Sequence, residues 1–187
     1  MEKLLKQLRE YRPYNEQEER DQKNILKFLT TAETPFLRDN ELCHMTASAW
    51  VVNKERTKVL MAYHNIYNSW SWTGGHADGE TDLYSVALRE VREETGVQNI
   101  RPISEEIFSI ETLIVEGHEK RGKYVTCHLH MNVTYLFEAD ETDDLQIKPD
   151  ENSKVGWIPA DELEAYVTEP WMMSRIYSKL VEKSRNR

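Results

Sequence analysis

Three glutamates near the middle of the chain, Glu90, Glu93 and Glu94, are spaced so that a helix would place them on one face. Carboxylates packed this closely repel one another unless a cation lies between them. Mg²⁺ prefers oxygen ligands and often shares its site with the phosphates of a substrate. The preceding glycine pair, 74–75, is predicted in a loop that leads into the helix, where a backbone cradle for a phosphate would be needed. The pattern predicts metal-dependent phosphate chemistry; the alternative is a solvated acidic face on which Arg89 and Glu93 form an ordinary ion pair.

Residues 74–97 resemble the signature of the Nudix family. That signature is a glycine, five residues, a glutamate, seven residues, and then Arg-Glu-aliphatic-any-Glu-Glu-any-Gly-aliphatic. Residues 89–97 match its second half at every fixed position, whereas the first half contains one additional residue near Asp82. Glu80 is then the first glutamate of the signature. The resemblance implies that Glu80 has a structural role and contacts Arg89.

The resemblance also implies how the metal and the reacting water are held. The implied ligands of Mg²⁺ or Mn²⁺ are the Gly74 backbone, Glu90, Glu93 and Glu94. Arg89 would orient the carboxylates and so belongs with Glu90 and Glu93 in the catalytic group. A general base outside the helix completes that group, and Glu151 is the first choice. Glu90 could itself act as base, and the weaker candidates are Glu111, Glu116, Glu119 and Asp150.

Substrate contacts are predicted from residue chemistry outside the acidic helix. His128 and His130 are two residues apart on a strand and therefore face the same way. They could line the substrate pocket, bind a metal, or be hydrogen-bonded structural residues, and no third ligand of a zinc site is evident. Trp70 could stack on a nucleobase. The residues expected at the substrate are Gly75, His76, His128, His130 and Trp70.

The hydrophobic pattern predicts the elements that must position these residues. A period of three to four residues indicates helices over 1–30, interrupted at Pro13. The acidic helix would begin at Thr81 or Asp82 and end at Gly96. Alternation indicates strands over 43–64 as a hairpin, 69–72, 107–115 with 124–137 as a long hairpin, and 154–158. Two late helices are expected near 160–167 and from 170 to about 184.

The fold class implied by this pattern and by the resemblance is α/β: a Nudix-like α/β/α sandwich around a mixed sheet. Residues 1–40 would form an added N-terminal helical segment and linker, and residues 41–187 the Nudix hydrolase domain. The N-terminal helices would either pack on that domain or act as a lid or dimer arm.

Composition restricts the partners. The chain has 187 residues and a formal net charge of −9, with no basic stripe, which makes extended nucleic acid a poor partner. Two cysteines form neither a disulfide framework nor a metal cluster. No apolar run approaches the roughly 18 residues of a membrane span, and no secretory signal is present. We therefore expect a cytoplasmic protein that acts on small molecules, with a homodimer left open.

The function expected from these residues is Mg²⁺-dependent hydrolysis of a nucleoside diphosphate linked to another moiety. One alternative is an isoprenyl-diphosphate isomerase, which also occurs on the Nudix fold and needs a cysteine in its pocket. Cys127 is expected on the apolar face of its strand, in the core, and Cys43 has no supporting signature. The other alternative is a non-catalytic nucleotide-binding module. The sequence does not indicate the substrate.

Overall fold

The computed structural model describes residues 1–120 and 122–186. Its helices are α1 (Glu2–Glu10), α2 (Glu16–Thr31), α3 (Leu83–Thr95), α4 (Leu163–Tyr166) and α5 (Ser178–Arg185), the last preceded by a π-helical segment, Met172–Tyr177. Its strands are β1 (Cys43–Val52), β2 (Lys58–His64), β3 (Ser69–Ser71), β4 (Thr73–His76), β5 (Ile100–Pro102), β6 (Ser109–Val115), β7 (His118–Lys120), β8 (Lys123–Val125), β9 (His128–Ala139) and β10 (Asn152–Pro159).

A mixed sheet with strand order β10-β2-β1-β9-β5 forms the centre of the molecule. Its central pair, β1 and β9, is parallel, with Cys43 opposite Leu129 and Val52 opposite Glu138. The other pairings are antiparallel, with β3 on β2, β4 on β1 and β6 on β9. Strands β7 and β8 form a separate antiparallel pair.

Both faces of the sheet are covered, because successive side chains of its central strands point to opposite sides. On β1, Ala47, Ala49 and Val51 pack into a core with α3 and the N-terminal helices. Trp50 and Val52 pack into a second core with the C-terminal helical region. The predicted α/β/α sandwich is therefore confirmed.

The N-terminal helices pack on the domain as part of the first core. Leu4 and Leu8 of α1 and Ile25 and Leu29 of α2 are buried in it. The two helices are separated around Pro13, as predicted, and the Asn15 side chain caps α2 by accepting a hydrogen bond from the Glu18 backbone.

Buried charges join the two ends of the chain. We call Glu18, Glu111, Lys179 and Lys183 the terminal clasp; each is less than one-tenth exposed. The Glu18 carboxylate lies 3.0 Å from Lys179 Nζ and 2.8 Å from Lys183 Nζ. Glu111 lies 3.2 Å from Lys179 Nζ. Burial alone would raise the pKa of Glu18, but Lys179 and Lys183 lower it to about 2.

Three local predictions differ from the structure. The glycine pair, expected in a loop, lies in β4 and pairs with β1. Cys127, expected in the core, is exposed, because the chain leaves the sheet between β8 and β9 and interrupts the alternation there. The helix expected near 160–167 is shortened to α4.

Within residues 1–120 and 122–186, none of the helices combines the length and the apolar character that a membrane crossing requires.

Candidate active site

The glycines of β4 allow α3 to lie directly against the sheet edge. A Cβ at Gly74 would lie 2.6 Å from the Ala47 carbonyl oxygen, and one at Gly75 would lie 2.4 Å from Cδ of Glu90. Any larger residue at these positions would have to displace either the β1 backbone or the Glu90 carboxylate. Gly75 therefore leaves the space that Glu90 of α3 occupies, and Gly74 allows β4 to lie close to β1.

Helix α3 is oriented by its apolar face. Leu83, Val86, Ala87 and Val91 are buried against the sheet, as predicted from their spacing. Asp82 precedes its first residue, where its carboxylate accepts a hydrogen bond from the Ser85 hydroxyl but caps no backbone N–H, and Gly96 ends it in the left-handed conformation with φ of 74°. Burial of the apolar face turns the three glutamates toward β4.

Glu94 is the most deeply placed of these glutamates. Its Oε1 accepts a hydrogen bond of 2.9 Å from the Gly74 backbone N–H. Burial raises the pKa of Glu94 to about 8; the Gly74 N–H opposes the shift, and the charges of Glu151 and Glu90 add to it. Burial also raises the pKa of Glu90, although Arg89 acts in the opposite direction. Burial therefore disfavours the ionised forms of these two carboxylates, which a nearby cation would stabilise.

Arg89 contacts two of the three glutamates. Its Nη2 donates to Glu90 Oε1 at 3.0 Å, and its Nε lies 3.7 Å from Glu93 Oε1. The expected contact between Glu80 and Arg89 is not the arrangement found. Glu80 Oε1 instead accepts hydrogen bonds from the backbone N–H groups of residues 81 and 82, where it holds the turn before α3.

Lys148 brings Glu151 to the acidic face of α3. Its Nζ lies 3.3 Å from Glu93 Oε2 and 3.1 Å from Glu151 Oε2. Burial would lower the pKa of Lys148, but Glu151 and Glu93 together raise it, so the ammonium stays charged. We did not identify Lys148 from the sequence, because nothing local marks a lysine that pairs with a helix over fifty residues away.

These groups surround a cavity of about 460 Å³, within the size range of small-molecule sites. The predicted site residues that line it are Gly74, Gly75, His76, Arg89, Glu90, Glu93, Glu94, His130 and Glu151. Arg38, Asn132 and Lys148 also line it and were not expected.

The remaining predicted residues lie elsewhere or at the margin. Trp70 packs edge-on against Tyr63 and Tyr166, whereas Trp72 and Tyr67 line the cavity. Of the weaker base candidates, Asp150 lines the cavity and Glu111 belongs to the terminal clasp. Glu116 lies between β6 and β7, and Glu119 lies within β7.

His128 lies beside the cavity and contacts His130, with their Nε2 atoms 3.1 Å apart. His44 and His76 complete a group of four histidines whose ligand atoms all lie within 4.8 Å of one another. The third and fourth histidines come from β1 and β4, which sequence spacing could not bring together with β9.

The cavity has the donors that a hard divalent cation requires. Glu90, Glu93, Glu94 and Glu151 offer carboxylate oxygens, the ligands that Mg²⁺ prefers. Burial raises the pKa of Glu94, so a cation beside this carboxylate would stabilise its ionised form. The donor set therefore fits Mg²⁺ or Mn²⁺.

Comparison with known proteins agrees with this geometry. A family model described as NUDIX domain matches residues 43–180. The fold is similar to an Ap4A hydrolase from C. elegans, solved as a binary complex, at 20% identity and a TM-score of 0.55, covering 76% of this chain and 95% of that one. No curated protein matches the sequence.

Two further solved structures show the same fold. A NUDIX-family hydrolase from Clostridium perfringens is 18% identical with a TM-score of 0.56, covering 76% of this chain and 97% of that one. A NUDIX hydrolase from Nitrosomonas europaea is 17% identical with a TM-score of 0.54, covering 76% and 88%. At these identities the likeness concerns the fold alone.

Proposed function

Since the chain belongs to the Nudix family of pyrophosphohydrolases, we propose that it is a Mg²⁺-dependent enzyme that hydrolyses a nucleoside diphosphate linked to another moiety. The main support for this proposal is the convergence of four carboxylates, Glu90, Glu93, Glu94 and Glu151, on one cavity beside the two consecutive glycines of β4. Such a site suits an anionic substrate only with a cation bound, because the carboxylates would otherwise repel it.

In this proposal each polar group has a distinct task. Bound Mg²⁺ would neutralise phosphate charge and acidify a water molecule. Glu90, Glu93 and Glu94 would hold the ion, and Arg89 would keep Glu90 and Glu93 in place through the contacts described above. The oxygen of water would form a bond to phosphorus as the bridging P–O bond breaks. The proton of that water would pass to a carboxylate oxygen of Glu151.

The substrate contacts in this proposal come from the cavity wall. Gly75 would approach the phosphates through its backbone. His76 and His130 line the same part of the cavity, and His128 contacts His130 from behind. Trp70, expected at a nucleobase, packs against Tyr63 and Tyr166, and none of these three is among the described residues that line the cavity, so we give it no substrate contact.

The two alternative functions have less support. An isomerase of this fold would need a thiol in the pocket, but Cys43 is buried, Cys127 is exposed, and neither is among the described residues that line the cavity. A non-catalytic module would not need the complete set of signature carboxylates, Glu90, Glu93 and Glu94, that this chain retains.

Hydrolysis of a nucleotide panel tests the proposal. The purified chain with Mg²⁺ should release phosphate or mononucleotide from at least one nucleoside diphosphate derivative; Ap4A, named for the C. elegans structure, belongs in the panel. Glu93→Gln and Glu94→Gln should each lower kcat at least about 100-fold, because residues that merely support metal ligands already cost 10- to 100-fold.

Glu164→Gln is the matched control, since Glu164 is exposed on α4. Its kcat should stay at the wild-type value. Equal hydrolysis by the wild type, Glu93→Gln and Glu94→Gln would show that these carboxylates are not the metal site. Tight nucleotide binding without turnover in any divalent metal would favour the binding module.

Location and assembly are separate parts of the proposal. We propose a cytoplasmic protein that acts on small molecules rather than on nucleic acid, consistent with its net charge of −9. A homodimer would use the N-terminal helices or the β6–β9 hairpin, and sedimentation velocity would establish the oligomeric state.

A further inference from the structure

Four histidines meet where three neighbouring strands run side by side. His44 lies on β1, His76 on β4, and His128 and His130 on β9. His44 is directly opposite His130 in the parallel β1–β9 pair, and His76 is opposite Thr46 in the β1–β4 pair. One ring nitrogen from each histidine lies within 4.8 Å of the others.

Hydrogen bonds fix the tautomers of two of these rings. Nδ1 of His44 lies 3.1 Å from the Asn40 carbonyl oxygen, and Nδ1 of His128 lies 2.8 Å from the Thr126 carbonyl oxygen. A carbonyl oxygen can only accept, so both Nδ1 atoms carry the proton. In a neutral ring the lone pair is then on Nε2, which is how a histidine that binds a metal through Nε2 is oriented.

His44 supplies an independent sign that a ligand is required. Its side chain is 4% exposed, and its Nε2 is buried with no hydrogen-bond partner among the described residues. A buried acceptor of this kind costs free energy unless something occupies its lone pair. Since Nδ1 of His44 already holds the proton, the missing partner has to be a donor or a cation.

One pair of nitrogens already has the spacing of a small tetrahedral ion, and the other two histidines, with ligand atoms within 4.8 Å, would close around it. With Zn–N bonds of about 2.0–2.1 Å, two nitrogen ligands of a tetrahedral site lie roughly 3.3 Å apart. The Nε2 atoms of His128 and His130 are 3.1 Å apart. Imidazole nitrogens suit Zn²⁺, whereas the carboxylates of the neighbouring cavity suit Mg²⁺.

We propose that His44, His76, His128 and His130 bind one Zn²⁺ in a closed, structural site that is distinct from the carboxylate site. Four protein ligands leave no open position, which is the arrangement of structural rather than catalytic zinc. The ion would tie β4 to β1 and β9, and so fix the strand edge that carries the glycine pair. The zinc site does not depend on the proposed hydrolysis.

Metal analysis of the full chain, prepared without a polyhistidine tag, tests this site directly. After dialysis against a zinc buffer and then against millimolar Mg²⁺, we expect one Zn²⁺ per chain. His44→Gln and His128→Gln should lose the zinc. His64→Gln, which changes a histidine outside the group, and Glu94→Gln, which changes the carboxylate site, should both keep it.

Two results would overturn the zinc site. One is a wild-type chain that holds no zinc after this treatment, in which case the four histidines form a hydrogen-bonded cluster only. The other is equal zinc content in the wild type and in both His44→Gln and His128→Gln, which would place the ion elsewhere.

A measurement on the wild type covers the case in which the histidine variants fail to fold. Co²⁺ substituted into the chain should give the intense visible absorption of a four-coordinate ion, and X-ray absorption of the zinc form should show imidazole nitrogens at about 2.0–2.1 Å. Weak absorption typical of six oxygen ligands, together with no imidazole signal, would contradict the proposal.

Discussion

Gly75 and Glu90 occupy one small volume at the edge of the cavity. The carboxylate of Glu90 fills the space that a side chain at position 75 would need. The glycine is therefore required for the position of a proposed metal ligand as well as for the path of β4. At this scale the site is sensitive to a single methyl group.

Gly75→Ala should reduce kcat by about 100-fold, because a shift of roughly 1 Å in a catalytic group can have that effect. The fold should survive, since the displaced atoms belong to a side chain that faces the cavity. Steady-state kinetics and thermal melts measure the two effects separately.

Gly156→Ala provides the comparison. Its added Cβ would meet Trp70 at an ordinary contact distance of 3.8 Å, so activity should remain near wild type. A Gly75→Ala chain with unchanged kcat would show that Glu90 can move without loss of function.

Helix α3 and the segment before β10 are joined across the cavity by one ammonium group. Lys148 contacts Glu93 on the helix and Glu151 at the end of the segment. A divalent ion that binds both glutamates has to compete with this lysine. The ammonium of Lys148 therefore links the two elements without a bound metal ion.

Lys148→Gln should lower the Mg²⁺ concentration needed for half-maximal hydrolysis about fivefold. The two partly exposed ion pairs of Lys148 contribute about 1 kcal/mol together, and a bound ion would no longer have to displace them. A Mg²⁺ titration of the initial rate measures it, with Lys154→Gln as the control for surface charge. A higher Mg²⁺ requirement in Lys148→Gln would instead assign the lysine to positioning of the carboxylates.

The terminal clasp connects elements from distant parts of the chain. It joins α2 to α5 through Glu18, and it joins α5 to the sheet through Glu111. Glu111 in turn accepts a hydrogen bond of 2.9 Å from the amide nitrogen of Asn132, and the amide oxygen of Asn132 accepts hydrogen bonds from Thr46 and Ser48, which line the cavity. The packing of both chain ends is thus continuous with the cavity floor.

Acid should weaken this packing in a defined pH range. Glu18 has a pKa lowered from 4.5 to about 2 in the folded chain, where it faces Lys179, Lys183, Tyr11 and, through Ser109, Glu111. Its stabilisation is present above pH 4.5 and is lost as the pH falls from 4.5 through 2; below pH 2 Glu18 is protonated in both states. The contribution is about 3 kcal/mol.

Urea unfolding of wild type and Glu18→Gln at several pH values measures this effect. At neutral pH the variant should lose about 3–5 kcal/mol, because Glu111 would be the one carboxylate of the terminal clasp left for two buried lysines. Between pH 4.5 and 2 its unfolding free energy should fall less steeply than that of the wild type. Glu16→Gln, exposed on the same helix, should keep the wild-type slope; equal slopes in all three chains would contradict the assignment.

Local sequence patterns predicted those parts of the molecule that depend on local structure. The apolar face of α3, its end at Gly96 and the break between α1 and α2 follow from spacing and from capping residues. The contact of His44 with His130 does not, because it depends on the register of two distant parallel strands. The pairing of Lys148 with Glu93 could not be predicted either, because the two residues are far apart in the sequence. Cys127 was misplaced because alternation does not reveal where a strand leaves its sheet.

The parallel pairing of β1 with β9 has a consequence for how the chain folds. Cys43 pairs with Leu129, and Val52 pairs with Glu138. The centre of the sheet therefore joins segments from opposite halves of the sequence. Closing so large a loop costs entropy before its contacts are gained, which slows folding. During synthesis, α1, α2 and the β1–β2 turn leave the ribosome long before β9. The buried strand β1 must spend that interval exposed, and we expect it to be the segment on which molecular chaperones act.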